Sequence, residues 1–274
     1  PRYAREILTP QFGEGMEGVL QSRGDALAGI LNGVDYNEWR TTGNPYLPAE
    51  YSAEDISGKW ICRDELKKKL GLSDSKRPLF GVVSRLAEQK GIGLLIETIE
   101  GFLTNQKLQL AVLGDGEPGL VRGLFNLQKK FPQSVSVNIK YNNRLAHQIE
   151  AAADFFLMPS RFEPCGLNQL YSLRYGAIPI VHAVGGLADT VIDLQSNPAA
   201  ANGFQFNQFK TDVFANAIGR AVALFGNSEM KNNSTLSISF INTLNACARI
   251  YFCSFSVVFI GLLVYTIIKG GVSE

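Results

Sequence analysis

Two cations stand five residues apart in Ser84-Arg-Leu-Ala-Glu-Gln-Lys-Gly91, a segment that follows a strand-like run and precedes a helix-like one. Arg85 and Lys90, placed together in such a loop, can neutralise the charge of a diphosphate leaving group. Taken alone they are ordinary surface charges on a connection; the setting favours a site. A second stretch is Ser160-Arg-Phe-Glu-Pro-Cys-Gly-Leu-Asn-Gln-Leu-Tyr171, followed by Gly185-Gly-Leu-Ala-Asp-Thr190. In each, a strand-like run ends in a short glycine turn and a helical pattern begins. Free backbone N–H groups and the positive end of a helix dipole then point at one spot. That chemistry suits a phosphate or a crowded set of sugar hydroxyls, as a sugar nucleotide presents them.

Glu163 lies between the expected strand and helix, beside Pro164 and Cys165. A carboxylate there can accept hydrogen bonds from sugar hydroxyls while the amides of Gly166, Leu167 and Asn168 face a phosphate. The bland reading makes Glu163 a helix cap and Cys165 a small buried filler. Cys165 has no histidine near it in sequence, which argues against a thiolate nucleophile. Tyr141 follows the apolar run 135–139 and is placed either to stack on a nucleobase or to cap the core. Of the two histidines, His147 reads as a surface residue of a helix, whereas His182 ends a strand just before Gly185 and is open between ligand contact and structure. No D-x-D, HExxH or clustered His/Cys set occurs, so no metal site is expected.

These residues need a scaffold, and the periodicity supplies one. Strands are expected at 79–84, 108–113, 135–139, 155–158 and 178–181. Helices are expected at 92–103, 120–131, 145–152, 167–175, 187–194 and 213–225. This alternation predicts an α/β fold, a Rossmann-like parallel sheet covered on both faces. Ligands of such sheets bind outside the carboxyl ends of the strands, where the glycine turns fall.

The 274 residues are 46% hydrophobic, enough for one α/β domain of about residues 46–225 with extra segments. Lysine and arginine total 26 against 25 acidic residues, so charge gives no case for a nucleic-acid partner. Cys62, Cys165, Cys247 and Cys253 form no CxxC pair, which suits a reducing compartment. Residues 1–45 read as a linker or the tail of a preceding domain, and Pro1 is not an initiator, so a fragment is expected. Residues 226–274 turn polar and then apolar. The uncharged run 250–268, between Arg249 and Lys269, is long enough to span a bilayer. A foreign C-terminus is favoured over a membrane anchor or a buried element, so a membrane partner is not expected.

Taken together, Asn32-Gly-Val-Asp35, the 84–91 and 159–170 motifs, Arg174-Tyr-Gly176 and Gly185-Gly-Leu-Ala-Asp-Thr-Val191 resemble the glycogen and starch synthases over residues 1–225. The resemblance implies the C-terminal, nucleotide-holding domain of a two-domain GT-B type glycosyltransferase. It implies ADP-glucose as donor substrate with no further cofactor, and an α-1,4-glucan as acceptor. By matching positions, Arg85 and Lys90 become diphosphate ligands, Tyr141 the adenine stacker and Glu163 the residue that orients the donor glucose. The amides from Cys165 to Asn168 become further donor contacts, and Asn32 lies near the donor. Related transferases carry a second Glu where this chain has Tyr171, a difference the starch synthase branch tolerates. The family's N-terminal lysine-containing glycine motif and acceptor-binding domain are not in this sequence, and its C-terminal helix is replaced by the apolar tail. A transferase with little activity on its own is therefore expected; the alternative is a non-catalytic nucleotide-binding or regulatory module. The setting would be a plastid in a plant or alga and the cytoplasm in a bacterium.

Overall fold

A computed structural model describes residues 1–230 of the chain. The apolar run 250–268, Cys247 and Cys253 lie outside the described residues. Two short helices, α1 (Arg2–Glu6) and α2 (Glu17–Ser22), precede α3 (Ser57–Lys69). Then follow β1 (Leu79–Val83), α4 (Ile92–Thr104), β2 (Gln109–Gly114), α5 (Pro118–Lys130), β3 (Val135–Ile139), α6 (Asn143–Ala152) and β4 (Phe155–Met158). The order closes with α7 (Asn168–Arg174), β5 (Ile178–His182), α8 (Gly185–Thr190), β6 (Phe204–Phe206) and α9 (Thr211–Met230).

The strands make one sheet of six in the order β3-β2-β1-β4-β5-β6, and every pairing is parallel. Their sequences are apolar on both faces, as a sheet covered twice requires. Phe80, Val82, Phe155 and Leu157 enter one core with α4, α5 and α9, while Leu79, Phe156, Met158 and Val181 enter the other with α6 and α8. The spacing of Ile92, Leu95, Ile99 and Leu103 gives α4 one buried stripe. The chain winds outward from β1 through β2 to β3, returns to pair β4 with β1, then winds the other way. The carboxyl ends of β1 and β4 therefore part at the topological switch point, where such sheets hold ligands.

Three expectations need correction. The helix foreseen at 187–194 is α8, Gly185–Thr190, because Val191 leaves helical geometry and Asp193 bridges to Gly203. β6 and α3 were not foreseen: β6 is three residues long, and the apolar positions of α3 are crowded among lysines. His147 is fully buried rather than on the surface. It stacks on Trp39 at 4.1 Å between ring centroids, and its Nδ1 lies 2.7 Å from the Tyr175 hydroxyl. Burial lowers its pKa against the pull of Glu38.

α3 is pinned by Lys59, whose buried ammonium donates to the carbonyls of Ala151 and Tyr175 at 2.9 and 3.1 Å. Burial brings its pKa down to about 8, with Asp154 acting in opposition. A lysine lowered in the folded state binds fewer protons than the unfolded chain between about pH 8 and the ordinary lysine value of 10.5, so its contribution to stability rises with pH across that window and is smallest below it. Denaturant unfolding should show wild type gaining roughly 3 kcal/mol on Lys59→Met from the bottom to the top of that range. A gap that does not change with pH would contradict a buried charged lysine.

Candidate functional site

At the switch point lies a cavity of about 450 Å³. Its wall includes Asn32, Arg85, Lys90, Glu163, Cys165, Gly166, Leu167 and Asn168, eight of the nine side chains and backbone positions expected from sequence. The ninth, Tyr141, is not in the wall. It emerges at the carboxyl edge as expected, but β3 is the outermost strand, and Lys140 turns the chain with a φ of 104°. Tyr141 stands 85% exposed, its hydroxyl 3.2 Å from Asn143 Oδ1.

The cavity is built by two loops drawn together. After β1, Gly91 adopts a φ of 70°, and a Cβ there would overlap the Pro159 carbonyl oxygen; only glycine lets the 84–91 loop lie against the end of β4. Cross-loop bonds fasten the approach: Arg161 N–H donates to the Gln89 carbonyl at 2.9 Å, and Gln89 Nε2 to the Phe162 carbonyl at 2.7 Å. Neither Gln89 nor Arg161 carried a sequence signal for this role, since each partner comes from the other loop.

Glu163 and Lys90 form the centre. Lys90 Nζ donates to Glu163 Oε2 at 2.5 Å, with the Glu163 side chain only 8% exposed, and Ser160 Oγ donates to the same oxygen at 3.1 Å. Among the described residues Oε1 accepts no hydrogen bond, which leaves it for a hydroxyl in the cavity. Arg85 is exposed at the rim, its Nη2 3.3 Å from Gln89 Oε1. Cys165 Sγ accepts the Asn32 N–H at 3.0 Å. Burial pushes the Cys165 thiol up, and the Glu163 charge adds to the rise, so the sulfur stays protonated and is a wall of the cavity, not a nucleophile.

The two glycine turns, alike in sequence, differ in what their amides do. Gly166 holds a φ of 73°, and among the described residues the N–H groups of Gly166, Leu167 and Asn168 meet no protein acceptor, so they remain for a ligand. Asn168 Nδ2 bonds the Val83 carbonyl, tying the start of α7 to the end of β1. At the second turn, by contrast, Gly185 N–H is taken by Glu6, and Gly186 N–H by the Glu163 carbonyl at 3.0 Å. The sequence predicts free amides for the ligand at that turn as well, but both are taken by protein partners, and the turn supports the Glu163 segment from behind. His182 is buried and its Nδ1 lies 2.8 Å from the Ser160 carbonyl, a structural contact outside the cavity wall. Tyr171 points elsewhere, stacked on Trp39 with centroids 3.6 Å apart, and burial pushes its phenol up to about 12.

A pair of cations, three open amides and a half-masked carboxylate at a parallel-sheet switch point can hold a diphosphate joined to a polyol. The profile of the family described as glycosyl transferases group 1 matches residues 63–232, which contain every one of these groups except Asn32. The chain belongs to that family. Within the glycosyl transferases group 1, it is 49% identical over 225 residues to the glycogen synthase of Myxococcus xanthus, covering 82% of this chain and 46% of that protein. It is 48% identical over 229 residues to the glycogen synthase of Thioalkalivibrio sulfidiphilus, with 82% and 47% covered. The chain thus spans about half the length of the curated relatives it matches. The catalytic domain of starch synthase IV from Arabidopsis thaliana, bound to ADP and acarbose, superposes with a TM-score of 0.83 and 33% identity, over 91% of this chain and 54% of that one. The resemblance to glycogen and starch synthases read from the motifs is borne out, as is the parallel α/β fold.

Proposed function

We propose that the chain is the donor-holding half of a glycogen or starch synthase, which moves glucose from ADP-glucose to the non-reducing end of an α-1,4-glucan with retention. One observation carries this reading: the Lys90–Glu163 pair shares one cavity wall with the amides of Gly166 to Asn168, which meet no acceptor among the described residues, in a chain nearly half identical to glycogen synthases. The ADP bound in the starch synthase IV structure supports the choice of nucleotide. In this reading Arg85 and Lys90 take the diphosphate, the amides of Gly166 to Asn168 add to its cradle, and Glu163 Oε1 accepts a glucose hydroxyl. The nucleoside runs along the carboxyl edge from β1 past β2 to Tyr141, two strand spacings or about 10 Å away. Tyr141, exposed at that edge, then stacks on adenine.

During transfer the bond from glucose C1 to the diphosphate oxygen breaks as the acceptor hydroxyl oxygen bonds to C1, and the hydroxyl proton passes to the departing diphosphate. Negative charge gathers on the departing diphosphate, where fixed cations and amides already point and need no reorganisation. Donor and acceptor must also be held together with water excluded. We assign that task to the part of the relatives this chain does not span, with residues 1–45 as the tail of that domain and its linker. Kinship with bacterial glycogen synthases favours a cytoplasmic setting over a plastid. The test is radiolabelled glucose incorporation into glycogen from ADP-glucose, by this chain alone and mixed with the separately expressed N-terminal half of a glycogen synthase. Synthesis is expected in the mixture and near background for either half. Folded halves that associate but make no glucan would overturn the reading.

A further inference from the structure

α8 lacks a side-chain cap of its own, and a residue far away in the chain supplies one. Glu6, at the end of α1, receives the Gly185 N–H with both carboxylate oxygens at 3.0 Å, and its side chain is only 14% exposed. An anion at a helix start satisfies an orphan amide and meets the positive end of the dipole. α1 is fastened again where α8 ends, by Arg2 N–H to Asp189 Oδ2 at 2.8 Å. Arg2 Nε in turn holds Glu6 Oε1 at 3.0 Å.

What α8 rests on gives this cap its meaning. A Cβ at Gly185 would overlap the Glu163 carbonyl oxygen, and one at Gly186 would overlap the Cys165 backbone. The first turn of α8 therefore lies on the Glu163–Cys165 segment with no side chain between, joined to it by Gly186 N–H on the Glu163 carbonyl at 3.0 Å. Gln169 Nε2 bridges the same two elements, reaching the Cys165 carbonyl at 2.9 Å and Thr190 Oγ1 at 3.2 Å. A shift of the α8 start moves the Glu163 backbone with it. Arg85 and Lys90 sit on the other loop, after β1, and are one step further removed.

We propose that Glu6 is a positioning residue for Glu163: by holding the Gly185 amide it sets the first turn of α8 and so the placement of the carboxylate that meets the donor's sugar. This rests on the donor reading above. It makes a specific demand, because the sugar half of the donor should feel Glu6 more than the nucleoside diphosphate half does.

The experiment titrates ADP and ADP-glucose by calorimetry into the full chain as wild type, Glu6→Gln and Glu6→Ala, with amide hydrogen exchange on the unliganded proteins. Losing an acceptor for a buried N–H is expected to weaken ADP-glucose about tenfold in Glu6→Ala and ADP less than threefold. Glu6→Gln, whose side-chain oxygen still accepts from Gly185, should recover most of the loss. Exchange at Gly186, the amide bonded to Glu163, should quicken in Glu6→Ala while the sheet amides keep their rates. Equal weakening of both ligands, no rescue by glutamine, or unchanged exchange at Gly186 would each overturn the proposal. Failure of the donor reading would show differently, as a wild-type chain that binds neither ligand, and would remove the role of Glu6 with it.

Discussion

Replacing Arg85 and Lys90 together by alanine is expected to lower ADP affinity by at least about a hundredfold. Each charge-assisted contact to a phosphate contributes roughly 1.5–3 kcal/mol, and 1.4 kcal/mol is one decade in affinity. The single variants should be unequal. Arg85 stands exposed at the rim, hydrogen-bonded to Gln89, so its loss removes one screened cation. Lys90 is the direct partner of Glu163 at 2.5 Å. Its loss leaves an uncompensated carboxylate facing the incoming diphosphate and adds repulsion to the missing attraction. Lys90→Ala should therefore bind ADP more weakly than Arg85→Ala, and adding Glu163→Gln to Lys90→Ala should restore part of the loss. Calorimetric titration reads the four variants against wild type; an Arg85→Ala, Lys90→Ala double variant within threefold of wild type would place the diphosphate elsewhere.

Glu163→Gln is expected to separate the two halves of the donor in the opposite sense. Its charge is removed, the Lys90 ammonium is released toward the phosphates, and ADP affinity should hold or rise. Preference for ADP-glucose over ADP should disappear, because the carboxylate oxygen left open to the cavity no longer meets the sugar as a charged acceptor. In the reconstituted mixture with an N-terminal half, glucan synthesis should fall by roughly 10²–10³, the usual cost of removing a preorganised group that acts in the transition state. Parallel loss of ADP and ADP-glucose binding would contradict this division of labour and make Glu163 a scaffold for Lys90.

Much of the scaffold was legible because a doubly covered parallel sheet writes itself as short apolar runs. All of β1 to β5 were read within a residue or two, and the site loops follow from glycines that punctuate their ends. Eight of the nine expected positions meet in one cavity for that reason. What stayed hidden depends on partners distant in sequence. His147 reads as a surface residue in the sequence because nothing beside it announces Trp39, Asn44 and Tyr175, which surround it in the fold. The second glycine turn reads as a ligand cradle because sequence shows that an amide is free of its own helix, not that Glu6 arrives from 179 positions away to take it. Tyr141 illustrates a third limit. Its position at the carboxyl edge was readable, but its distance from the switch point depends on strand order, and the order β3-β2-β1-β4 is not written in any single strand.

The most direct test is a crystal structure of the chain grown with ADP-glucose. The diphosphate should lie between Arg85 and Lys90 with the amides of Gly166 to Asn168 on its oxygens, glucose should touch Glu163, and adenine should lie on Tyr141. A nucleotide found in another cleft, such as the polar groove beside Asp193 and Arg220, or a diphosphate bound without contact to either cation, would contradict the account.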